Sequence, residues 1–155
     1  MDSDLTLDFI IIIVLIIANG LFSMTELAIV NAKKRKLEEL AEAGNERAKK
    51  AFELAENPND MFSTIQIGIT LVGILTGLYS GATFSGPLEE ILTANIPSIE
   101  PYAASVSSFL IVAIITYLSL VIGELVPKRL ALNSPEGIAV VVAKPIYWLS
   151  VALKP

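Results

Sequence analysis

Gly123-Glu124-Leu125-Val126-Pro127-Lys128 closes an apolar run, Ser105 to Val126, whose only other ionisable group is the phenol of Tyr117. A carboxylate in such a run is expensive: insertion scales place a charge at a helix centre at about 2.5–3.5 kcal/mol, and less near the interface. Glu124 therefore requires a partner, a proton or a water-filled cavity. Pro127 has no N–H to give to the carbonyl four residues back, and its ring crowds that carbonyl. That carbonyl belongs to Gly123. The stretch thus offers a carboxylate beside a backbone oxygen released from the helix ladder, two hard donors of the kind that Mg²⁺, Ca²⁺ or Na⁺ accept. The plainer reading of the same six residues is a helix end, with Glu124 near the headgroups and Pro127 as the stop.

The chain around this stretch has a membrane-like composition. Its 155 residues are 54% hydrophobic, and the mean hydropathy is +0.66, which is high for a globular domain. Cysteine and histidine are both absent. That excludes disulfides, thiolate or imidazole metal sites, Ser-His and Cys-His catalysis, and a histidine proton switch. The net charge of −5 argues against a nucleic-acid partner. All 11 Lys and Arg residues fall between Lys33 and Lys50 or between Lys128 and Lys154.

Three apolar runs suit membrane crossing. Phe9 to Val30 is 22 residues long, about 33 Å as a helix and enough to span the hydrocarbon core. Asp2, Asp4 and Asp8 precede it and Lys33-Lys34-Arg35-Lys36 follow it. That is the reverse of a signal peptide, and it predicts an external N-terminus. Met61 to Tyr79 is the second expected span, rich in small and polar residues. Gln66, Thr70, Gly73 and Gly77 share one side, and Gly73, Gly77 and Gly81 form a small-residue stripe that permits close helix contact. Ser105 to Val126 is the third, with Thr116, Ser119 and Gly123 on one face and Glu124 beside it.

Between the first two runs, residues 33–57 read as a helical hairpin on the cytoplasmic membrane surface. Leu37, Leu40 and Ala41 form one apolar face, and Ala48, Ala51, Phe52 and Ala55 form another. Gly44-Asn45 separates them as C-cap and new N-cap. Residues 80–101 lack Lys and Arg and read as an external connection holding a short helix at Leu88–Leu92. The last segment, residues 134–153, reads as an amphipathic belt at the cytoplasmic surface. Its apolar part, Ile138 to Leu153, has 16 residues and is split by Lys144-Pro145, whereas a span needs about 20. The fold expected is an all-α, multi-pass cell-membrane protein: spans 9–30, 61–79 and 105–126, a juxtamembrane hairpin, a belt helix and a cytoplasmic C-terminus. The chain stops mid-pattern at Lys154-Pro155, as though cut from something longer.

Helix rise converts sequence position into depth. Ser23 lies about 10 Å from the cytoplasmic end of its span, Thr64 and Thr70 about 5 and 14 Å, and Glu124 about 3 Å. The polar groups of three spans therefore cluster in the inner half of the membrane. Asn19, Ser23 and Glu26 also share a helix face.

These residues carry a resemblance. Phe22-Ser23-Met24-Thr25-Glu26-Leu27-Ala28 resembles the FSxxExA signature of the CorC/CNNM membrane domain. Thr64-Ile65-Gln66-Ile67-Gly68-Ile69-Thr70-Leu71 resembles its TxQIGxT variant, and Gly123 to Lys128 matches GExxPK. The motifs, their order and the intervening hairpin cover nearly the whole chain. The resemblance implies a magnesium transporter, described as an exporter or Na⁺-coupled exchanger. It also implies a homodimer with three membrane helices and a belt, and cytoplasmic ATP-binding CBS domains, which do not follow Pro155 here. By position it implies an ion site built from the Ser23 hydroxyl, the Glu124 carboxylate and nearby backbone carbonyls such as that of Gly123. Many relatives carry a GNN run where this chain has Gly68-Ile69-Thr70, so Thr70, Thr64 or a freed carbonyl must replace the missing amides.

The function expected is Mg²⁺ transport through an inward-accessible intramembrane site, with Glu124 able to alternate between cation and proton or Na⁺. Glu26 is a candidate second charge, and equally a partner for the basic cluster. The rivals are a Mg²⁺-sensing membrane regulator and a dimerising anchor for cytoplasmic domains. An enzyme is disfavoured: the three spans contain no Asp, Lys or His from which to build an intramembrane protease.

Overall fold

A computed structural model describes residues 3–153; Asp2 of the acidic leader and Lys154-Pro155 of the expected cytoplasmic end lie outside them. All regular structure among the described residues is helical. In order, the elements are α1 (Ser3–Asn31), α2 (Lys34–Glu42), α3 (Glu46–Glu56), α4 (Asn59–Asn95), a 3₁₀ turn (Pro97–Tyr102), α5 (Ala103–Leu120), a π turn (Val121–Leu125), α6 (Val126–Asn133) and α7 (Pro135–Leu153).

The membrane character is visible in what faces outward. Val14, Ile17 and Leu21 on α1, Ile67, Leu71 and Leu78 on α4, and Phe109, Val112 and Ile114 on α5 are all exposed. In water such a surface would be an aggregation hazard; in a bilayer it meets lipid. α1 and α4 run antiparallel. The Tyr79 hydroxyl donates to the Asp8 carboxylate at one end of the pair, and the Phe22 ring lies against Gly68 nearer the other. α5 returns beside α4, where the Ser107 hydroxyl donates to the Ser85 carbonyl at 2.6 Å.

The tightest core lies where the hairpin meets the membrane helices. Ala28, Ile29 and Ala32 of α1, Leu37 of α2, Ala51 and Leu54 of α3, Met61 and Ile65 of α4, Ala131 of α6, and Ala139, Ala143 and Ile146 of α7 form one buried cluster. Alanine at so many of these positions lets the helix backbones approach closely. The hairpin is built as its sequence indicates. Gly44 adopts φ +98°, a left-handed conformation that costs glycine little. The Asn45 side chain then accepts from the N–H groups of Arg47 and Ala48, both at 3.1 Å, capping α3.

Two expectations need correction. The second helix does not give way to a connection at Ser80: α4 runs unbroken for 37 residues through Gly81, Gly86 and Pro87 to Asn95. Packing on α5 supports the backbone where glycine and proline weaken it, and Leu88–Leu92 is part of the long helix rather than a separate short one. Nor does Lys144-Pro145 split the last segment, since both sit inside the 19-residue α7. As a result, four helical stretches are long and apolar enough to cross a membrane: Asp4–Asn31, Asn59–Asn95, Pro97–Asn133 and Pro135–Leu153. Length no longer excludes α7 as a span.

α7 is tied to the hairpin region at both ends. Near its start, Glu136 accepts from the Lys33 N–H at 3.4 Å. Towards its end, the Lys50 ammonium sits 4.0 Å from the Tyr147 ring centre, and the Thr64 hydroxyl is 3.3 Å from that of Ser150. Lys50 also pairs with Glu53 at 3.1 Å; that hydrogen bond is the main reason the Lys50 pKa lies above its usual value.

Candidate functional site

Pro127 leaves the helix ladder one donor short, and the chain responds locally. Over Val121–Leu125 the backbone widens into a π turn, with the Val126 N–H reaching the Val121 carbonyl. Such turns mark an extra residue accommodated in a helix, often at functional sites. The helix does not stop at Pro127; it resumes as α6 and continues to Asn133. The Gly123 carbonyl, deprived of a backbone donor at position 127, accepts the side-chain amide of Asn19 at 3.0 Å.

This contact requires close approach of α1 to the π turn, and glycines on both sides permit it. A Cβ at Gly20 would lie 2.9 Å from Pro127 Cγ and 3.3 Å from the Ile122 carbonyl oxygen. A Cβ at Gly123 would lie 3.1 Å from Asn19 Nδ2 and 3.2 Å from the Ile16 carbonyl oxygen.

Beside this junction is a cavity of about 270 Å³ lined by Asn19, Gly73, Thr76, Gly77, Ile115, Thr116, Ser119, Leu120 and Glu124. It brings together α1, α4, α5 and the π turn. Glu124 is its one carboxylate, and its side chain is 43% exposed. Glu124 Oε1 accepts from Lys128 Nζ at 2.9 Å. Because Asn19 Nδ2 must face the Gly123 carbonyl, the amide oxygen is left as an acceptor. The Thr76 hydroxyl spends its proton on the Val72 carbonyl at 2.7 Å, so its oxygen keeps acceptor capacity as well. The cavity wall therefore offers a carboxylate, an amide oxygen and three hydroxyls, all hard donors suited to a cation. Among the described residues no group of three or more His, Cys, Asp or Glu side chains could hold a metal ion. Any cation here relies on neutral oxygens around a single charge.

The sequence-derived candidates divide. Glu124 lines the cavity; Gly123 is buried next to it in sequence but is not among the lining residues, and its carbonyl is engaged by Asn19. Ser23 is 2% exposed and stands one turn beyond Asn19, but it is not among the lining residues, nor is Glu26. Thr64 points elsewhere: its hydroxyl donates to the Asp60 carbonyl at 2.8 Å and meets Ser150 of α7. Thr70 is exposed, with the Gln66 amide 3.5 Å from its hydroxyl. A Cβ added at Gly73, Gly77 or Gly81 would meet nothing within 4 Å. Their stripe packs against no other helix among the described residues, and Gly73 and Gly77 instead keep the cavity wall open.

Sequence reasoning left Asn19, Thr76, Thr116 and Ser119 out of the ligand set, although it placed Thr116 and Ser119 on the helix face beside Glu124. Asn19 had a signal, an amide in an apolar run on one face with Ser23, but its partner is 104 residues away.

Comparison with known proteins adds a family. The sequence profile described as the cyclin M transmembrane N-terminal domain, CNNM, matches residues 10–155. The UPF0053 protein sll0260 of Synechocystis is 51% identical over 148 residues, covering 96% of this chain and 33% of that protein. The UPF0053 protein YugS of Bacillus subtilis is 34% identical, covering 93% and 33%. A protein of Escherichia coli K12 named polyamine export protein is 32% identical over 136 residues, covering 88% and 30%. The chain thus spans about a third of the length of these relatives.

Proposed function

We propose a transport function for this chain, which belongs to the cyclin M (CNNM) transmembrane-domain family: Mg²⁺ enters the cavity beside Glu124 from the cytoplasm and is carried out by export or by exchange with Na⁺. The observation that carries this reading is a half-exposed carboxylate facing an oxygen-lined cavity between helices whose outer faces are apolar. An ionisable group placed so within a membrane protein marks a substrate pathway by default.

The donor set fits the task. Mg²⁺ takes octahedral oxygens at about 2.0–2.1 Å and dehydrates reluctantly. A cavity of this size accepts the ion with part of its water shell, and one formal charge with neutral oxygens holds it weakly enough to let it go. Glu124, the Asn19 amide oxygen, Ser119, Thr116 and Thr76 are the groups that would contact it, with the second lone pair of the Gly123 carbonyl at the edge. Ser23, Thr64 and Thr70 would join only if the helices shift between access states.

The disposition proposed is three spans with a belt, the N-terminus outside and the C-terminus cytoplasmic. Two contacts support the belt. Glu136 with Lys33 and Tyr147 with Lys50 tie both ends of α7 to the charged hairpin, which cannot enter the hydrocarbon. A homodimer, and regulatory CBS domains in the full-length protein, follow from the family resemblance.

One observation favours a second reading. A relative carries the name polyamine export protein, and the cavity combines its carboxylate with apolar wall from Ile115 and Leu120, which suits an ammonium group on an alkyl stem. Reconstituted liposomes distinguish the readings. The primary one expects Mg²⁺ efflux from the wild type and none from Glu124→Gln. Movement of spermidine but not Mg²⁺ selects the organic cation. Mg²⁺ binding without flux of either points to a sensor, and absence of both binding and flux to a membrane anchor.

A further inference from the structure

The carboxylate of the cavity already has a cation. Lys128 Nζ lies 2.9 Å from Glu124 Oε1, and the lysine side chain is 37% exposed. It is the only cationic group within ion-pair distance of Glu124 among the described residues. Lys128 is not part of the cavity lining, and neither is any other basic residue.

The direction of this lysine is informative. Helical side chains lean toward the N-terminus, so a residue at i+4 reaches back over residue i. Lysines at a membrane boundary ordinarily extend their stems outward, toward headgroups and water. Lys128 reaches the other way, along the helix toward the apolar run that ends at Val126. Its carboxylate partner compensates for that placement, and the lysine in turn spares Glu124 from standing as a bare charge in low dielectric.

We propose that Lys128 is a tethered counter-cation that occupies Glu124 when the cavity is empty and withdraws when cargo arrives. The proposal rests on the cation-site reading above. Cargo then enters by exchange, the divalent ion replacing the ammonium beside the carboxylate and adding one net positive charge to the site, and the carboxylate is never left unpaired. The four-carbon stem gives the ammonium a short path back to the interface. On release the lysine competes for the carboxylate and speeds departure. Lys128 is a positioning and release residue, since its own contact is with Glu124 rather than with cargo.

The test compares wild type, Lys128→Met and Lys128→Arg by Mg²⁺ titration calorimetry and by liposome efflux, with Glu124→Gln as control. Removing the competitor should tighten binding by about fivefold, the scale of a partly exposed ion pair, and slow efflux at saturating Mg²⁺. Arginine, with a two-donor grip on the carboxylate, should weaken binding below wild type. Equal or weaker binding by Lys128→Met overturns the proposal and leaves the cation site standing. A wild type that binds no cation, or a Glu124→Gln protein that binds normally, overturns the cation-site reading and this proposal with it. Should Lys128→Met fail to fold, reductive ¹³C-dimethylation of wild type, which preserves the charge, reads the lysine directly. Its resonance, identified by its loss in Lys128→Arg, should move toward that of exposed lysines as Mg²⁺ saturates. A resonance unmoved at saturation overturns the proposal.

Discussion

The Asn19 amide donates to the Gly123 carbonyl at 3.0 Å, joining the middle of α1 to the π turn across 104 residues of sequence. Pro127 creates the vacancy in the ladder, Gly20 and Gly123 let the helices approach, and Asn19 fills it. If this bond is structural, Asn19→Leu should lower stability by about 1–3 kcal/mol, the cost of a buried carbonyl left without a donor. Chemical denaturation in detergent reads the change, and an unchanged midpoint would show the carbonyl satisfied by another route. Cation affinity should fall with it, because the amide oxygen leaves the cavity wall.

Pro127→Ala restores an N–H that competes with Asn19 for the Gly123 carbonyl and draws the π turn back toward regular helix. The protein should gain helix stability and lose Mg²⁺ binding. Glu124→Gln should keep the fold, since a neutral amide is cheaper to bury, and lose binding sharply. A pair of folded variants that both bind as wild type would reduce the stretch to a helix end. If only Glu124→Gln loses binding, the carboxylate matters and the π turn does not.

Ser23→Ala tests the residue that the family pattern favours and that the cavity lining omits. It removes one buried hydroxyl and leaves a good helix former. Reduced Mg²⁺ affinity in a folded protein would mean that the helices rearrange to bring Ser23 to the ion, and unchanged affinity would remove it from the ligand set.

The glycines should separate into two groups. Gly68→Ala places a Cβ 2.6 Å from the Phe22 ring and Gly20→Ala places one 2.9 Å from Pro127, so each should cost about 1–3 kcal/mol by overpacking. Gly81→Ala meets nothing within 4 Å and should be neutral or stabilising by up to about 1 kcal/mol, from helix propensity. Thermal unfolding of the three proteins ranks them; destabilisation by Gly81→Ala comparable to the others would reveal a neighbour from a second copy of the chain.

Single-cysteine labelling tests the belt cleanly because the chain has no cysteine of its own. Asn133→Cys lies just before α7 and Leu153→Cys at its last residue. A belt leaves both reactive from the cytoplasmic side, whereas a fourth span places them on opposite sides. Asp4→Cys should react only from outside.

Much of the fold was legible because it depends on local chemistry. Apolar runs, the Gly44-Asn45 break and the missing N–H of Pro127 each act within a turn or two of their own position. The continuation of α4 past Ser80 was not legible, because the Ser107 hydroxyl and the packing of α5 hold a backbone that Gly81, Gly86 and Pro87 would weaken in isolation. The site was half legible for a geometric reason. Rise per residue gives the depth of Thr64 and Glu124, but depth says nothing of azimuth. Thr64 is turned toward Ser150 on α7, while Glu124 is turned toward the cavity.

The length of α4 has a mechanical consequence. A helix of 37 residues is about 55 Å long, against a hydrocarbon thickness of about 30 Å. The rod must lean steeply or project from the bilayer, and the Pro97–Asn133 stretch beside it is equally long. Both helices contribute to the alanine-rich cluster at one end, and a pivot of about 10° about it would carry the far tip of a rod this long by about 10 Å. Glu124 lies about 10 Å along the chain from Ala131 of that cluster, so a shift of about 0.5 Å there would correspond to about 3 Å at the tip, a movement that spin labels at Glu90 and Asp4 could measure.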